Sequence, residues 1–256
     1  MKLQACHAHL SDLPHSLSKS PFVSVCSEPP DAKQTVSAAA AYAIEAVEGL
    51  GLESVIPALF CISGPVGSTL DCFDRARDPA TGRLTGEGCA KRSRRIHPFT
   101  LLLGLQNQVA ATLSLFFGWT GPCCSSVASA TAFVEILPSI EIALRSRPAI
   151  VVMSSAGGRQ EDRTWYEQMS PGNSILEGAV ALYFDTPGEL GRIEPQSSDK
   201  DPSDLLAAPL ALSPTITAPA LEPGLELLHL LASERNGALI ELGAPHERRS
   251  FGWRRS

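Results

Sequence analysis

With 256 residues, 44% apolar and 19% charged, the chain has material for a large buried core, which excludes a disordered or fibrous protein. A net charge of -6 excludes a general nucleic-acid binder, because phosphate contacts need a basic face. The seven cysteines form no Cys-x-x-Cys pair and are irregularly spaced, so a reducing, cytoplasmic setting is expected rather than a disulfide framework.

The N-terminal stretch MKLQACHAH has no unbroken apolar run, and every apolar stretch is cut well short of about 18 residues, so neither an export signal nor a membrane span is expected. Cys6, His7, His9 and His15 are metal-ligating types, but their spacing fits no common zinc site; the segment reads as a flexible terminus, with no metal and no cofactor. Pro21–Cys26 is a short β-branched strand, and Gln34–Leu50 an Ala-rich helix stopped by Gly49 and Gly51. Val55–Ile62 reads as a buried strand leading into a Gly-rich turn, Ser63–Ser68, that opens a helix to about Arg75; 76–96 is a polar loop. The turn lacks the Gly-Lys-Ser/Thr ending of a phosphate loop.

Phe99–Phe117 has helical apolar spacing and stops at Gly118. Cys123–Ser129 is a short strand of small and β-branched residues, and the vicinal thiols Cys123 and Cys124 read as inert groups buried between helices. Thr131–Arg145 is a helix, Ala149–Ser154 a continuous apolar strand covered on both faces, and Glu177–Phe184 the last clear strand. The strand and helix alternation argues for an α/β layered fold. Beyond Asp185 the chain becomes polar and then Pro-punctuated, giving three regions: 1–195, a linker over 196–224, and a short helix (Leu225–Ser233) with a basic tail over 225–256. No repeat with a period of about 20 to 50 residues is visible.

The segment His97–Ser155 resembles the middle of the N-terminal half of a β-ketoacyl synthase of the thiolase fold. The resemblance rests on Gln106-Asn107 in a helix, Leu113-Ser114, Gly118 and Gly121-Pro122 as an LSxxxGxxGP ending, then the strand Cys123–Ser129, the helix Thr131–Arg145 and the strand Ala149–Ser154. Upstream ALFCISGPVGST and downstream LEGAVALYFDTP extend it over about Val36–Glu194. It implies a single, N-terminal-type half of the duplicated αβαβα fold.

Two departures decide what the resemblance implies chemically. Where the family carries its nucleophilic Cys, eight residues after the Pro of the Gly-Pro pair, this sequence has Ala130, whose methyl group cannot form a thioester. The two imidazoles that stabilise the oxyanion in the family have no counterpart: only His229 and His246 follow Ala130, in neither family context. No catalytic residue is therefore expected. The implied role is that of a chain-length factor, the inactive paralogue that pairs with a full-length ketosynthase in type II polyketide, aryl polyene or fatty-acid-like synthesis.

In that family the strand before the catalytic position pairs with its counterpart across the dimer, which implies Cys123, Cys124, Ser125, Ser126 and Val127 as the interface strand. The preceding helix lines the acyl tunnel, and here Asn107, Ala110, Ala111 and Ser114 fall at helical spacing on one small-residue face, with Phe116 as a candidate tunnel end. A spacious tunnel for a reduced or polyene chain bound to an acyl carrier protein follows, and the run Lys91, Arg92, Arg94 and Arg95 is the candidate docking strip for that acidic carrier. The Arg248–Arg255 tail, with Phe251 and Trp253, reads either as a partner grip or as a frayed end. Two other classes remain open from the residues: an acyltransferase or thioesterase using Cys124, and a scaffolding homodimer.

Overall fold

A computed structural model of the chain describes residues 1–26, 36–66, 78, 80–81, 83, 85–93, 105, 107–129, 131–156, 174–186, 188–195, 216–217, 220–233, 237–242 and 249–255. The strands are β1 Lys2–Leu10, β2 Val23–Val25, β3 Ala58–Val66, β4 Cys123–Val127, β5 Ala149–Ala156, β6 Ser174–Ile175, β7 Gly178–Phe184, β8 Gly191–Pro195, β9 Ile216–Thr217, β10 Gly237–Leu242 and β11 Arg249–Arg254. The helices are α1 Ala38–Glu48, α2 Gly86–Ser93, α3 Gln108–Phe117, α4 Ala132–Ala143 and α5 Glu222–Ala232, with a 3-10 turn at His15–Leu17.

The main sheet has the order β10-β11-β8-β1-β7-β5-β3-β4, with β2 paired to the outer side of β1; β6 and β9 form a separate parallel pair. The β3 strand runs parallel to both β4 and β5, whereas β7 is antiparallel to β5 and to β1. The middle strands β5 (AIVVMSSA) and β7 (GAVALYF) are buried at every position, which is why both read as unbroken apolar runs rather than alternating ones.

Alternate residues of those strands feed two cores. Val151 and Met153 of β5 face a cluster with Phe133, Leu137 and Ile140 of α4 and Leu225, Leu227 and Leu228 of α5. Ile150 and Val152 face the other, made by Ala39, Ala40, Tyr42, Ala43 and Ala46 of α1 with Val109, Ala110 and Leu113 of α3. The result is one sheet between two helical layers. The alanines of α1 let its backbone lie close to the sheet, and its first turn is capped by Ser37 Oγ, which accepts from Ala40 N at 3.2 Å. Helix α3 ends at Gly118, whose φ of 66° is the left-handed geometry that glycine supplies without strain.

The structure corrects several expectations. The N-terminus is not flexible: β1 lies inside the sheet between β7 on one side and β8 and β2 on the other. Its Leu3, Cys6, Ala8 and Leu10 are buried. A bulge between Leu3 and Ala5 breaks the apolar alternation that would have revealed it, which is regular only over Cys6–Leu10. Ser63–Val66 is not a turn but the end of β3, and the expected loop over 76–96 contains helix α2.

The basic tail is not frayed, and its Phe251 and Trp253 are taken up by the core rather than left for a partner. It folds back as the antiparallel pair β10 and β11, and β11 pairs with β8. Phe251 and Trp253 point inward, Phe251 lying edge-on to Phe133 at 5.1 Å between ring centroids. Gly191 of β8 lies flat against the Trp253 indole, where any side chain would collide. Helix α5 begins at Glu222, a little before the expected Leu225, with Pro223 in its first turn, where the missing N–H costs nothing.

Candidate functional site

Strand β4 ends the main sheet. One edge pairs with β3, setting Leu59 beside Cys123, Phe60 beside Cys124, Cys61 beside Ser125, Ile62 beside Ser126 and Ser63 beside Val127. No strand among the described residues takes the other edge. Cys123, Cys124, Ser125 and Val127 are exposed and Ser126 is partly so, which corrects the expectation of a strand buried between helices. Natural sheets guard open edges with lysines, prolines or bulges. The sequence CCSSV has none of these.

Helix α3 flanks this edge on the face that carries Leu59 and Cys61. Its Gln108, Val109, Ala110 and Leu113 are buried, while Leu115 is 84% and Phe116 57% exposed. Phe116 meets the edge of the Phe117 ring at 5.0 Å, and Phe117 stacks on Trp119 at 4.7 Å, so the helix end is an aromatic cluster with an open side. Val127 is 54% exposed on β4 and Ile142 is exposed on α4. Aliphatic and aromatic side chains left in water on an element and its neighbour mark a surface awaiting cover.

The four-residue face expected to line a tunnel is divided. Asn107 and Ala111 are exposed and Ser114 is half-buried, whereas Ala110 turns into the core shared with α1. The outward face is therefore Asn107, Ala111, Ser114 and Leu115. Leu115 was not singled out in the sequence because leucine reads first as core, and only the position of the helix against β4 leaves it outside. The inner face is fixed by Gln108, which accepts a 2.6 Å bond from Ser37 Oγ at the start of α1 and donates to Thr112 Oγ1 at 2.9 Å. These bonds lock the rotation of α3 about its axis.

Ser114 reaches the Cys123 thiol, and this hydrogen bond favours the thiolate; burial, followed by the neighbouring Cys124, outweighs it and pushes the Cys123 thiol up. A cysteine nucleophile needs the opposite shift. Cys61 on the adjacent strand is fully enclosed and its thiol lies still higher. Ala130 lies outside the described residues; the flanking Thr131 precedes α4, its hydroxyl donating to the Glu135 side chain at Oε1, 2.8 Å away. Lys91 and Arg92 fall on helix α2, whose side chains there are not described, and Arg94 and Arg95 lie outside the described residues.

The metal-ligating types at the N-terminus do not converge. Cys6 is buried on one face of β1, its thiol raised to about 12 by burial. His7 and His9 lie on the other face, where Nε2 of His7 and Nδ1 of His9 approach Ser24 Oγ at 2.9 and 2.8 Å. His15 is apart, in the 3-10 turn. Among the described residues no group of three or more His, Cys, Asp or Glu side chains could hold a metal ion, and no helix is long and apolar enough to cross a membrane. A cavity of about 350 Å³ lined by Lys2, Glu141, Arg145, Asp185 and Arg192 carries both signs of charge.

No family model and no curated protein matches the sequence. Solved structures do match its fold. A chain in the complex of the ketosynthase ApeO with its chain length factor ApeC from Xenorhabdus doucetiae aligns over all of both chains, with 15% identity and a TM-score of 0.56. The ishigamide ketosynthase/chain length factor aligns over 88% of this chain and 82% of that one, with 15% identity and a TM-score of 0.58. The AntDE:AntF complex, a type II polyketide synthase acyl-carrier protein with its hexaketide-bound ketosynthase, aligns over 100% of this chain and 99% of that one, with 9% identity and a TM-score of 0.60. The chain thus has the thiolase-like α/β fold of ketosynthase and chain length factor subunits.

Proposed function

We propose that this chain is a non-catalytic, chain-length-factor-type subunit that pairs through β4 with an active β-ketoacyl synthase and completes the tunnel for an acyl chain carried by an acyl carrier protein. The observation that carries the reading is the unguarded edge of β4, flanked by exposed Leu115, Phe116 and Val127. A strand of the partner laid there would extend the sheet beyond β4. Covering each large apolar side chain would contribute about 1.5–3 kcal/mol. The solved structures of similar fold are complexes of a ketosynthase with a chain length factor, and in one case with a carrier protein, which supports the same class of partner.

Ala130 supports the absence of catalysis, because the family position for the nucleophile holds a methyl group. The raised Cys123 thiol argues against Cys123 itself as the nucleophile of a remodelled acyltransferase or thioesterase. Asn107, Ala111 and Ser114 on the outward face of α3 are small, and a tunnel walled by them suits a long, straight, reduced or polyene chain. The basic run from Lys91 to Arg95 would dock the acidic carrier.

The test is assembly. The chain and a ketosynthase encoded beside it should co-elute as a 1:1 complex in size-exclusion chromatography. A monodisperse monomer that ignores the ketosynthase would refute the proposal. In the assembled pair, elongation should depend on the ketosynthase cysteine alone.

A further inference from the structure

Helix α3 carries a polar side chain on its buried face. Gln108 is 7% exposed; its Oε1 accepts a 2.6 Å bond from Ser37 Oγ, and its Nε2 donates to Thr112 Oγ1 at 2.9 Å. The same Ser37 Oγ accepts from Ala40 N, so one buried network ties the first turn of α1 to the first two turns of α3.

Apolar burial by itself would turn the helix differently. Gln108, Thr112 and Leu115 fall at i, i+4 and i+7 along one margin of the buried face, and Ala110 lies on the other margin. A turn of about 40° would sink Leu115, now 84% exposed, and release Ala110, placing a leucine in the core where an alanine stands. Val109 and Leu113 lie between the two margins and stay inside in either setting. What opposes the turn is Gln108, because an amide drawn away from Ser37 would be buried without its partner. On the far margin Ser114 reaches Cys123, and a thiol is a weak hydrogen-bond partner. A single buried polar group that fixes the register of a helix at the expense of apolar burial is an established device.

We propose that Gln108 is the register residue of α3, a positioning residue whose bonds to Ser37 and Thr112 keep Ala110 in and Leu115 out, and that through this rotation it sets the length of the acyl chain made by the assembled synthase. This rests on the reading of the outward face of α3 as a wall of the acyl tunnel. Released from the network, α3 withdraws Leu115 from that wall and presents Ala110 in its place. The tunnel widens and the products lengthen.

The experiment compares Gln108→Leu, an apolar side chain of similar size that removes both bonds, with Gln108→Glu, whose carboxylate accepts from the hydroxyls of both Ser37 and Thr112. Hydroxyl-radical footprinting of the full chain, read by tandem mass spectrometry, gives the ratio of oxidation at Leu115 to that at Leu113. Losing two hydrogen bonds shifts a balance between two settings by about fivefold or more, so the ratio should fall at least about twofold in Gln108→Leu and hold its parent value in Gln108→Glu. Each chain is then assembled with the ketosynthase, and the carrier-bound products are sized by mass spectrometry beside those of Ala111→Phe. Gln108→Leu should lengthen them and Gln108→Glu should not. A glutamine that only stabilises the fold would lower the Tm and leave the ratio unchanged, which overturns the inference. If the ratio falls but the products stay the same while Ala111→Phe shortens them, the link from rotation to length is overturned and the tunnel wall stands. If Ala111→Phe also leaves the products unchanged, the reading of the wall fails and this inference fails with it. Should Gln108→Leu not fold, Thr112→Val removes one of the two bonds at a partly buried position and should lower the same ratio; an unchanged ratio there overturns the inference as well.

Discussion

The two ends of the main sheet are finished in opposite ways. At one end β10 and β11 form a hairpin whose Ala238, Ile240, Phe251 and Trp253 are all buried, with Glu241 on the outermost strand. At the other, β4 presents five small or β-branched residues, uncharged and mostly exposed, beside a helix that exposes Leu115 and Phe116. The sheet is the same and the backbone requirement is the same. The difference teaches that the chain buries the large apolar residues of one end in its own core and leaves those of the other exposed.

The comparison breaks most severely if the closed end is opened. Trp253 is fully buried against Gly191, and Trp253→Ala should destabilise the chain by about 3–5 kcal/mol in urea unfolding, the range for deleting a buried aromatic ring. A loss below about 1 kcal/mol would mean that the hairpin is dispensable and the two ends alike. At the open end, the pair Leu115→Glu and Val127→Lys should shift stability by no more than about 0.5 kcal/mol per site, since both side chains are already in water. If β4 is the pairing edge proposed above, the same pair should weaken assembly with a ketosynthase by about tenfold or more, measured by titration calorimetry, because charge on an edge strand opposes pairing.

How much of this was readable beforehand follows from the same contrast. The strands β3, β5 and β7 and the helices α1, α3 and α4 were legible because their apolar runs or periods are strong and local. Strand β1 was not, because a bulge between Leu3 and Ala5 shifts the period and leaves only a short alternating run, Cys6–Leu10. The hairpin was not, because arginines at 249, 254 and 255 around Phe251 and Trp253 look like a solvated tail until β8 is seen to pair with them. For the candidate site, the residues of β4 were named by resemblance, but their exposure was not legible: small side chains suit a buried strand and an end strand equally. Ala110 was assigned to the outward face by spacing alone, and only the lock between Ser37 and Gln108 shows that α3 is turned to bury it.

Between the two ends, His7 and His9 test whether the interior of the sheet behaves as one body. Burial lowers both imidazoles below their ordinary 6.5, and for His7 the neighbouring His9 adds to the effect, while Glu45 opposes it for His9. Tyr42 faces His9 from α1, its phenol pushed up by burial, away from the range in which the imidazoles titrate. The folded chain therefore holds both histidines neutral where the unfolded chain would protonate them. Their contribution is present above pH 6.5 and is lost as the pH falls below it towards the folded values. The Tm should decline below pH 6.5 in the parent chain and decline less in the double variant His7→Gln, His9→Gln; parallel profiles would show that the imidazoles are solvated alike in both states.

The smallest effect on the fold should carry the sharpest functional information. Ala110 and Ala111 are neighbours in sequence on opposite sides of the boundary between core and open face, so the same substitution at each separates packing from tunnel shape. Ala110→Phe forces a ring into the core shared with α1 and should cost about 1–3 kcal/mol, the usual penalty of overpacking. Ala111→Phe points into the open and should leave the Tm unchanged. If the outward face of α3 walls the acyl tunnel, that second ring should nonetheless shorten the products of the assembled ketosynthase, read by mass spectrometry of the carrier-bound chains. Unchanged products from a stable, assembled Ala111→Phe chain would place the tunnel elsewhere and leave α3 as an interface helix alone.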